Sequence, residues 1–371
     1  MFRLLVLATA ALALAPAPAT AAIDLLKVPA LQSPIAAKGT LLAVANAGKA
    51  IVAAGERGII VYSHDQGVTW RQARVPVSVT LTSLYFVSDQ LGWAAGHDGV
   101  ILRTVDGART WHKQFDGNVA NALMLDDLRR RRAAAQAAGA AQAELADTLD
   151  NAVADLEGSA AFGPSLPLLG IWFADADRGL AVGAFGQLFH TADGGRNWAT
   201  WGARIDNPEG FHYNSINRIG DGSLVIAGEA GKLRRSRDGG ASWETLDTGY
   251  AGHLYGVLAP AGSKAIVAFG FGGTVLRSED DGKSWKALPR LVNKALVGGM
   301  VAPDGSLALA AGDGQVLVSR DGGASFTLVK AGAGRPLAAL LPQPLGDKRL
   351  LAAGSGGTRI LVLDQPPHAS P

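Results

Sequence analysis

An eight-residue pattern that recurs six times constrains the fold of this chain more than any other feature. It reads Ser or Thr, any residue, Asp, any residue, Gly, any residue, a small polar residue, and then an aromatic residue. The six copies occupy residues 63–70, 104–111, 191–198, 236–243, 278–285 and 319–326. They recur about every 40 residues, apart from one gap about twice as long, and a period of this size is typical of propellers and solenoids.

The chemistry of the pattern predicts a hairpin turn with its own internal hydrogen bonds. Asp accepts hydrogen bonds from backbone N–H groups of a tight turn, and Gly supplies the positive φ that the turn needs. The aromatic residue then starts the next strand and buries a large apolar face against a neighbouring unit. We therefore expect structural roles for Asp65, Asp106, Asp193, Asp238, Asp280 and Asp321, and for Trp70, Trp111, Trp198, Trp243 and Trp285. The second copy has Ala108 in place of Gly, which predicts a turn shifted by one residue towards Gly107.

These copies resemble the Asp-box, or BNR repeat, of β-propellers. A Gly-x-x-Gly segment precedes five of them, at residues 55–58, 96–99, 183–186, 228–231 and 270–273, and a shortened form precedes the sixth at 312–314. Residues 23–363 further resemble the photosystem II stability/assembly factor family, many of whose members occur in bacteria without a photosystem. The box itself is specific for propeller turns and not for function, since sialidases and non-enzymes share it.

The repeats predict an all-β fold, a single seven-bladed β-propeller of four-stranded blades over residues 23–365. The predicted blades cover residues 41–75, 81–115, 168–203, 213–246, 253–288, 294–329 and 336–363. The last blade has no box. We expect residues 23–30, which resemble the segments after the boxes, to supply its outer strand, because an open blade would leave unpaired edges.

Residues 1–22 have the organisation of a secretory signal peptide. Arg3 is the basic residue, residues 4–14 form an apolar core too short to span a bilayer, and residues 19–21 provide a small-residue cleavage site. The chain has no Cys, which excludes a lipoprotein, disulfides and thiol catalysis. The sequence predicts an exported, periplasmic protein that does not span the membrane after cleavage, with a disordered tail at 366–371.

The long gap between the second and third boxes contains an insertion at residues 117–167. It is rich in Ala and has Leu145, Leu149 and Val153 at helical spacing, with Gly139 as a break. The pattern predicts a helical hairpin whose basic cluster is Arg129, Arg130, Arg131 and Arg132. Two interpretations remain open: a solvated decoration, and a docking site for a partner. Deletion of residues 121–158 is expected to leave the propeller folded.

Propeller geometry places the Gly-x-x-Gly turns, the insertion and the polar 204–212 connector on one face, opposite the boxes. We expect this face to bind a protein partner. Besides the four Arg residues, the candidate contacts are Arg57, His97, Glu209, His212, Tyr213, Glu229, His253 and Tyr255. Arg234 and Arg235 are adjacent in a strand, so alternation predicts that one of them faces outward as part of a basic surface.

No motif for metal, phosphate or nucleophilic catalysis is present, and no cofactor is implied. The formal net charge of +2 implies no nucleic-acid partner. A sialidase-type glycosidase or sugar-binding propeller is the alternative. It would need an Arg cluster and paired carboxylates, for which the sequence offers Arg218 as the central basic residue and Asp206, Glu209, Glu229 and Asp313.

The family resemblance implies a non-enzymatic extracytoplasmic scaffold. Relatives in oxygenic phototrophs assist photosystem II assembly by binding a core-subunit precursor. Relatives in other bacteria are associated with RND-type exporters, so an accessory to such an export complex or to another membrane complex is expected here, with a photosystem client as the second version.

Overall fold

The computed structural model describes residues 23–329, 334–342 and 349–362. The predicted signal peptide and the C-terminal tail lie outside these residues. The chain forms seven antiparallel sheets that follow one another along the sequence, six of four strands and a seventh of three strands within the described residues. The prediction of an all-β, propeller-like fold with a helical hairpin is confirmed.

The strands of each sheet run in chain order from one edge to the other. The first three sheets are β1 (Leu41–Ala47), β2 (Ala50–Gly55), β3 (Ile60–Ser63) and β4 (Arg71–Gln72); β5 (Leu81–Phe86), β6 (Gly92–Gly96), β7 (Ile101–Thr104) and β8 (His112–Phe115); and β9 (Leu168–Phe173), β10 (Gly179–Gly183), β11 (Leu188–Thr191) and β12 (Ala199–Thr200). The next two are β13 (Tyr213–Arg218), β14 (Leu224–Gly228), β15 (Lys232–Ser236) and β16 (Glu244–Asp247); and β17 (Leu254–Leu258), β18 (Ile266–Gly270), β19 (Val275–Ser278) and β20 (Lys286–Ala287). The last two are β21 (Leu296–Val301), β22 (Leu307–Ala311), β23 (Val316–Ser319) and β24 (Thr327–Val329); and β25 (Leu337–Pro342), β26 (Arg349–Gly354) and β27 (Gly357–Val362).

The hydrophobic core of the sheets is divided into clusters, most of which lie between two consecutive sheets. Between the third and fourth sheets, for example, Trp172 and Leu180 pack with Ile216 and Ile226. The second strands are buried along their whole length in the first six sheets, because a sheet covers each of their faces. Continuous apolar runs are typical of such strands. The first sheet also contacts the seventh, where Ile51 packs with Leu341 of β25 and Leu351 of β26.

Each box forms the turn between the third and fourth strands of its sheet. In the fourth sheet, Ser242 donates from its backbone N and its hydroxyl to the Asp238 carboxylate, at 2.9 and 2.6 Å. The Ser236 hydroxyl donates to the same carboxylate and accepts from Gly240 N at 2.7 Å. The Trp243 indole donates to the Gly240 carbonyl at 3.0 Å. The turn is therefore closed by hydrogen bonds within the eight residues.

The aromatic residue of each box packs between its own sheet and the preceding one. Trp111 lies between the first two sheets, Trp243 between the third and fourth, and Trp285 between the fourth and fifth. Burying an aromatic side chain contributes about 1.5–3 kcal/mol. Each box therefore both closes a local turn and contributes an aromatic side chain to the contact between neighbouring sheets.

The expected shift of the second box is wrong. Ala108 takes the Gly position with φ of 70°, and its N–H donates to the Thr104 hydroxyl at 3.2 Å, as in the other boxes. Thr110 N donates to Asp106 at 3.0 Å in the usual place. The Ala108 methyl group is fully buried in the cluster between the first two sheets, and this burial offsets the cost of the left-handed backbone.

The box carboxyls make the stability of the fold dependent on pH. Hydrogen bonds from the seventh box residue lower the pKa from 3.8 to about 2 in Asp65, Asp193, Asp238, Asp280 and Asp321. Because the folded-state pKa is the lower one, this contribution is complete above about pH 4 and is lost as the pH falls towards about 2. We expect the melting temperature to fall steeply over this window. A melting temperature that is unchanged from pH 5 to pH 2.5 would contradict the assignment.

The prediction that residues 23–30 form the outer strand of the last blade is wrong. Asp24 accepts hydrogen bonds from Leu26 N and Lys27 N, which fold this segment into a turn. Leu26 is buried in the cluster of the first two sheets, and Ala30 N donates to Val75 O at 3.0 Å. The segment therefore lies along the connection between the first and second sheets.

The insertion forms two helices, α1 (Gly117–Ala137) and α2 (Ala143–Ala160), joined by a short 3-10 turn that starts at Gly139. Asp116 caps α1 by accepting hydrogen bonds from the first-turn N–H groups. The distal parts of the helices share a small core of Leu128, Ala135, Ala146 and Leu149. None of the helices in the described ranges has the length and apolar composition needed to cross a bilayer.

Replacing residues 126–156 with a short Gly/Ser linker is expected to change the free energy of unfolding by less than about 1 kcal/mol. The distal hairpin core is separate from the cores between the sheets, whereas Leu123 and Met124 at the start of α1 pack against the second and third sheets and must be kept. Chemical denaturation of the two proteins measures the difference. A much larger loss would mean that the distal hairpin is part of the core.

Candidate functional site

The connections between the second and third strands lie on one side of the sheets, opposite the boxes, and we call this side the turn face. It comprises the turns at residues 56–58, 97–99, 184–186, 229–231, 271–273, 312–314 and 355–356. The Gly before six of these seven turns has no room for a side chain. A Cβ on Gly183, for example, would lie 2.3 Å from the Pro167 carbonyl oxygen. Close backbone contact thus fixes the positions of these turns.

Four turn tips hold a non-glycine residue in the left-handed region. They are Arg57, Asp98, Phe185 and Ala230, with φ between 51 and 54°. This conformation costs an L-residue about 1–2 kcal/mol, and such strain clusters at functional sites. The four tips therefore have the same backbone conformation, but each presents a chemically different side chain.

Phe185 allows this strain to be measured. We expect Phe185→Gly to be more stable than Phe185→Ala by about 1 kcal/mol, because Gly adopts positive φ without a steric cost. The order is the reverse of that at ordinary positions, where Gly is the less stable residue. Urea unfolding of the two variants tests it, and Ala ranking above Gly would show that the tip is unstrained.

Ionic and aromatic side chains form a continuous row on the turn face across the third, fourth and fifth sheets. The Phe185 ring lies 4.5 Å from the His212 ring, centroid to centroid. The Glu229 carboxylate then joins His212 Nδ1 at 3.1 Å and His253 Nδ1 at 3.2 Å. The His253 ring lies 6.3 Å from that of Phe271. The row combines two exposed Phe rings with a carboxylate held between two imidazoles.

The environment of Glu229 stabilises its ionised carboxylate, so this side chain is suited to act as a fixed anion and not as a proton donor. Burial by itself would raise the pKa of this carboxyl, but the hydrogen bond from His212 N and the two nearby imidazoles outweigh burial and lower it. The carboxylate therefore stays ionised at neutral pH and orients both His side chains.

The other predicted contacts are distributed as follows. Arg57, His97 and Glu209 are exposed, and Tyr255 is half-buried beside the central channel. Tyr213 is a correction: its side chain is buried between the third and fourth sheets, which raises its pKa to about 12. A large apolar ring at the start of an innermost strand packs inward, so Tyr213 does not belong to the exposed surface.

The Arg cluster of the insertion is engaged within the hairpin. Arg129 pairs with Glu157 at 2.5 Å and Arg132 with Asp150 at 3.2 Å, and both pairs link α1 to α2. Arg130 and Arg131 pair with Asp126 and Asp127 on α1 itself. These contacts favour the interpretation of the four Arg residues as a solvated decoration over that of an open basic patch.

The expected basic surface at Arg234 and Arg235 is wrong, since both side chains are buried. Alternation sends them to opposite faces of the fourth sheet, but a neighbouring sheet covers each face. Arg234 donates to the Asp206 carbonyl at 3.3 Å. Arg235 donates to Asp221 and to Asp281, the latter at 2.7 Å. The pair therefore stabilises contacts on both sides of the sheet.

The first strands of all seven sheets line one central channel, a cavity of about 260 Å³. Its walls are apolar or neutral, with Ser83, Asn214 and Asn217 among the polar residues, and none of its lining residues is Asp, Glu, Lys, Arg or His. Arg218 is exposed and donates to the Gly222 carbonyl at 3.4 Å. The channel thus provides neither the Arg cluster nor the carboxylate pair of a sialidase-type site.

Within the described ranges, no group of three or more His, Cys, Asp or Glu side chains is placed to hold a metal ion. The exposed Phe162, beside the base of the hairpin, is a surface feature that sequence analysis misses. It lies in a Gly- and Pro-containing segment without periodicity, so no pattern identifies it.

Comparison with known proteins adds sequence similarity to this geometry. The family model described as Photosynthesis system II assembly factor YCF48 matches residues 164–306. The Photosystem II assembly lipoprotein Ycf48 of Synechococcus sp. (strain CC9902) is 34% identical over 93 residues, which are 24% of this chain. The match spans only 28% of that relative's length.

Solved structures share the fold. YCF48 bound to D1 peptide has a TM-score of 0.61 at 17% identity and covers 91% of this chain and 100% of its own. YCF48 from Cyanidioschyzon merolae has a TM-score of 0.60 at 16% identity, covering 89% and 97%. The WD40 β-propeller domain of Doa1 also superimposes, with a TM-score of 0.58 at 10% identity, covering 93% and 98%.

Proposed function

We propose that this chain, a BNR-repeat β-propeller similar to the photosystem II assembly factors, is an exported, non-enzymatic assembly factor that binds a membrane-protein partner through its turn face. The observation that carries the proposal is the row from Phe185 through Glu229 to Phe271, which combines exposed aromatic rings with a fixed ionic centre. Exposed aromatic residues with a few polar groups are typical of protein-binding surfaces.

The seven sheets form, in this proposal, a closed ring. Contacts of β1 with β25 and β26 support closure, as does a channel lined by all seven first strands. A closed ring holds the turn tips in fixed relative positions, which lowers the entropic cost of binding a partner.

A membrane protein is the proposed class of partner. One solved relative is described as bound to a D1 peptide, and a curated relative is described as an assembly lipoprotein. We therefore place a photosystem client first among the candidates. An RND-type export complex is a second candidate that comes from the sequence resemblance alone.

Export to the periplasm belongs to the same proposal. It is supported by the basic, apolar and small-residue order of residues 1–22. Recovering the protein from the periplasm with an N-terminus near residue 22 or 23 would support export, whereas an intact N-terminus in the cytoplasm would contradict it.

The non-enzymatic assignment is supported by the chemistry of the channel and of the row from Phe185 to Phe271. The channel lining has no acid or base pair, and Glu229 is held ionised by its His neighbours. A glycosidase needs a carboxyl with a raised pKa beside a second carboxylate. We expect the purified protein to release no aryl group from a panel of aryl glycosides.

The partner can be tested by cross-linking mass spectrometry on the tagged protein in membranes of its native cell. We expect cross-links from the turn face and the hairpin to a single membrane protein. Cross-links spread over both faces, or none to membrane proteins, would contradict the assembly-factor role.

A further inference from the structure

A groove runs between the helical hairpin and the turn face of the second and third sheets. It encloses about 830 Å³. Its walls come from both helices, the 162–166 segment, the tips Asp98 and Phe185, and Gln187. The groove adjoins the row described above, because Phe185 is the first member of that row.

The apolar side chains of the groove are open to solvent. Phe162 is 96% exposed, Phe185 62% and Leu166 49%, and Met124 and Leu156 add further apolar surface. Exposed apolar patches of this kind mark interaction sites. The side chains lie along an open trough and not in an enclosed pocket, which suits a polypeptide segment better than a small molecule.

The polar groups of the groove floor are already paired with one another. The Asn121 amide donates to the Gly163 carbonyl at 3.2 Å. The Ser165 hydroxyl donates to Gln187 at 2.5 Å, and the Gln187 amide donates to the Leu166 and Ala184 carbonyls. A ligand therefore meets few free donors or acceptors other than the carboxylates.

Two side-chain carboxylates in the groove have no partner among the residues that the structure describes. Asp98 and Asp155 line it, no Lys, Arg or His does, and neither carboxylate has a hydrogen-bond or ion-pair partner among the described residues. Burial raises the pKa of Asp98, with only His97 opposing the shift to any notable degree. An uncompensated carboxylate beside apolar surface is complementary to a cation carried on an apolar chain.

We infer, on the premise that the turn face binds a partner as proposed above, that this groove receives a short partner segment that carries apolar side chains and at least one Lys or Arg. The apolar side chains pack on Phe162, Phe185 and Leu166. The cationic group pairs with Asp98 or Asp155. The hairpin thereby has a binding role through its groove side, while its Arg residues hold its two helices together.

The test uses the whole mature protein and two synthetic fluorescein-labelled peptides. One is composed of Leu, Phe and Lys, and its counterpart has every Lys replaced by Glu. We expect fluorescence anisotropy to give a Kd about tenfold lower for the Lys peptide. The double variant Asp98→Asn/Asp155→Asn should lose most of this preference, and Phe162→Ser should weaken binding of both peptides.

Matched control variants distinguish peptide binding in the groove from nonspecific binding elsewhere on the surface. Glu279→Gln removes an exposed carboxylate and Val68→Ser an exposed apolar side chain, both at box turns on the opposite side. Neither should change either Kd. Equal affinities for the two peptides, or a preference that persists in the double Asn variant, would overturn the inference.

Failure of the groove inference can be distinguished from failure of the proposed function. If turn-face cross-links to a membrane protein form in native membranes but the peptides show no charge preference, the groove assignment alone is wrong. If the cross-links are absent, the assembly-factor role fails regardless of the peptide result.

Discussion

Replacing Arg235 with Met is expected to lower the free energy of unfolding by about 3 kcal/mol. The Arg235 guanidinium is fully buried and donates to the Ser223 hydroxyl, to the Asp221 and Asp281 carboxylates and to the Asp281 carbonyl. Asp281 belongs to the box of the next sheet, so the side chain joins the fourth sheet to the fifth. Its removal leaves two carboxylates short of their buried cation.

Arg237 provides a matched control, since it pairs with the same two carboxylates from the surface. Its side chain is 55% exposed. Arg237→Met is expected to cost less than about 1 kcal/mol, because solvent screens exposed ion pairs. Chemical denaturation followed by Trp fluorescence gives both values. Equal losses from the two substitutions would mean that burial of Arg235 does not strengthen the contact between the sheets.

The second large effect is expected at the Asp238 box. Asp238→Ala should lower the free energy of unfolding by about 2–3 kcal/mol, because three hydrogen bonds to one carboxylate are lost. Asp238→Asn should cost roughly half as much, since the remaining amide oxygen can still accept from Ser236 and Ser242. Thermal and urea unfolding measure both losses.

The control for the box is Asp126→Ala, which removes an exposed carboxylate from the hairpin and should change stability by less than about 0.5 kcal/mol. An Asp238→Ala loss as small as the control would show that the box carboxylate does not hold its turn. In that case the lowered box pKa values would explain little of the stability that the fold loses as the pH falls towards about 2.

Local chemistry made the sheets predictable from the sequence. The second sheet starts at Leu81 and ends at Phe115, the bounds expected from its Gly-x-x-Gly turn and box. The helical hairpin and its break at Gly139 also follow from local spacing. In each case the signal and the structure that it specifies lie within about one repeat of each other.

Features that depend on residues distant in the sequence could not be predicted from local patterns. Arg235 is buried because Asp281, which lies in the next repeat, folds against it. Residues 23–30 look like a strand, but Asp24 turns the chain so that Leu26 enters the core of the first two sheets. The strained tip at Phe185 could not be predicted from the sequence. The two Gly residues of the 183–186 segment indicate a turn, but they do not show which position has a positive φ.

The binding site was predictable as a face but not as a set of contacts. The Gly-x-x-Gly turns identify the side of the sheets, whereas the sharing of Glu229 between His212 and His253 joins three connections that are separate in the sequence. The groove depends on how the hairpin lies against the turns. That placement is set by the close contact of Gly117 with Gly99 and Ser165, which no sequence motif encodes.

The most direct test of partner binding by the turn face is site-specific photocross-linking in native membranes. A photoreactive amino acid is placed at Phe271 on the turn face or at Val68 in the first box, and both positions are well exposed. We expect a discrete cross-linked membrane protein from position 271 and none from position 68. The same adduct from both positions, or an adduct from position 68 alone, would contradict binding through the turn face.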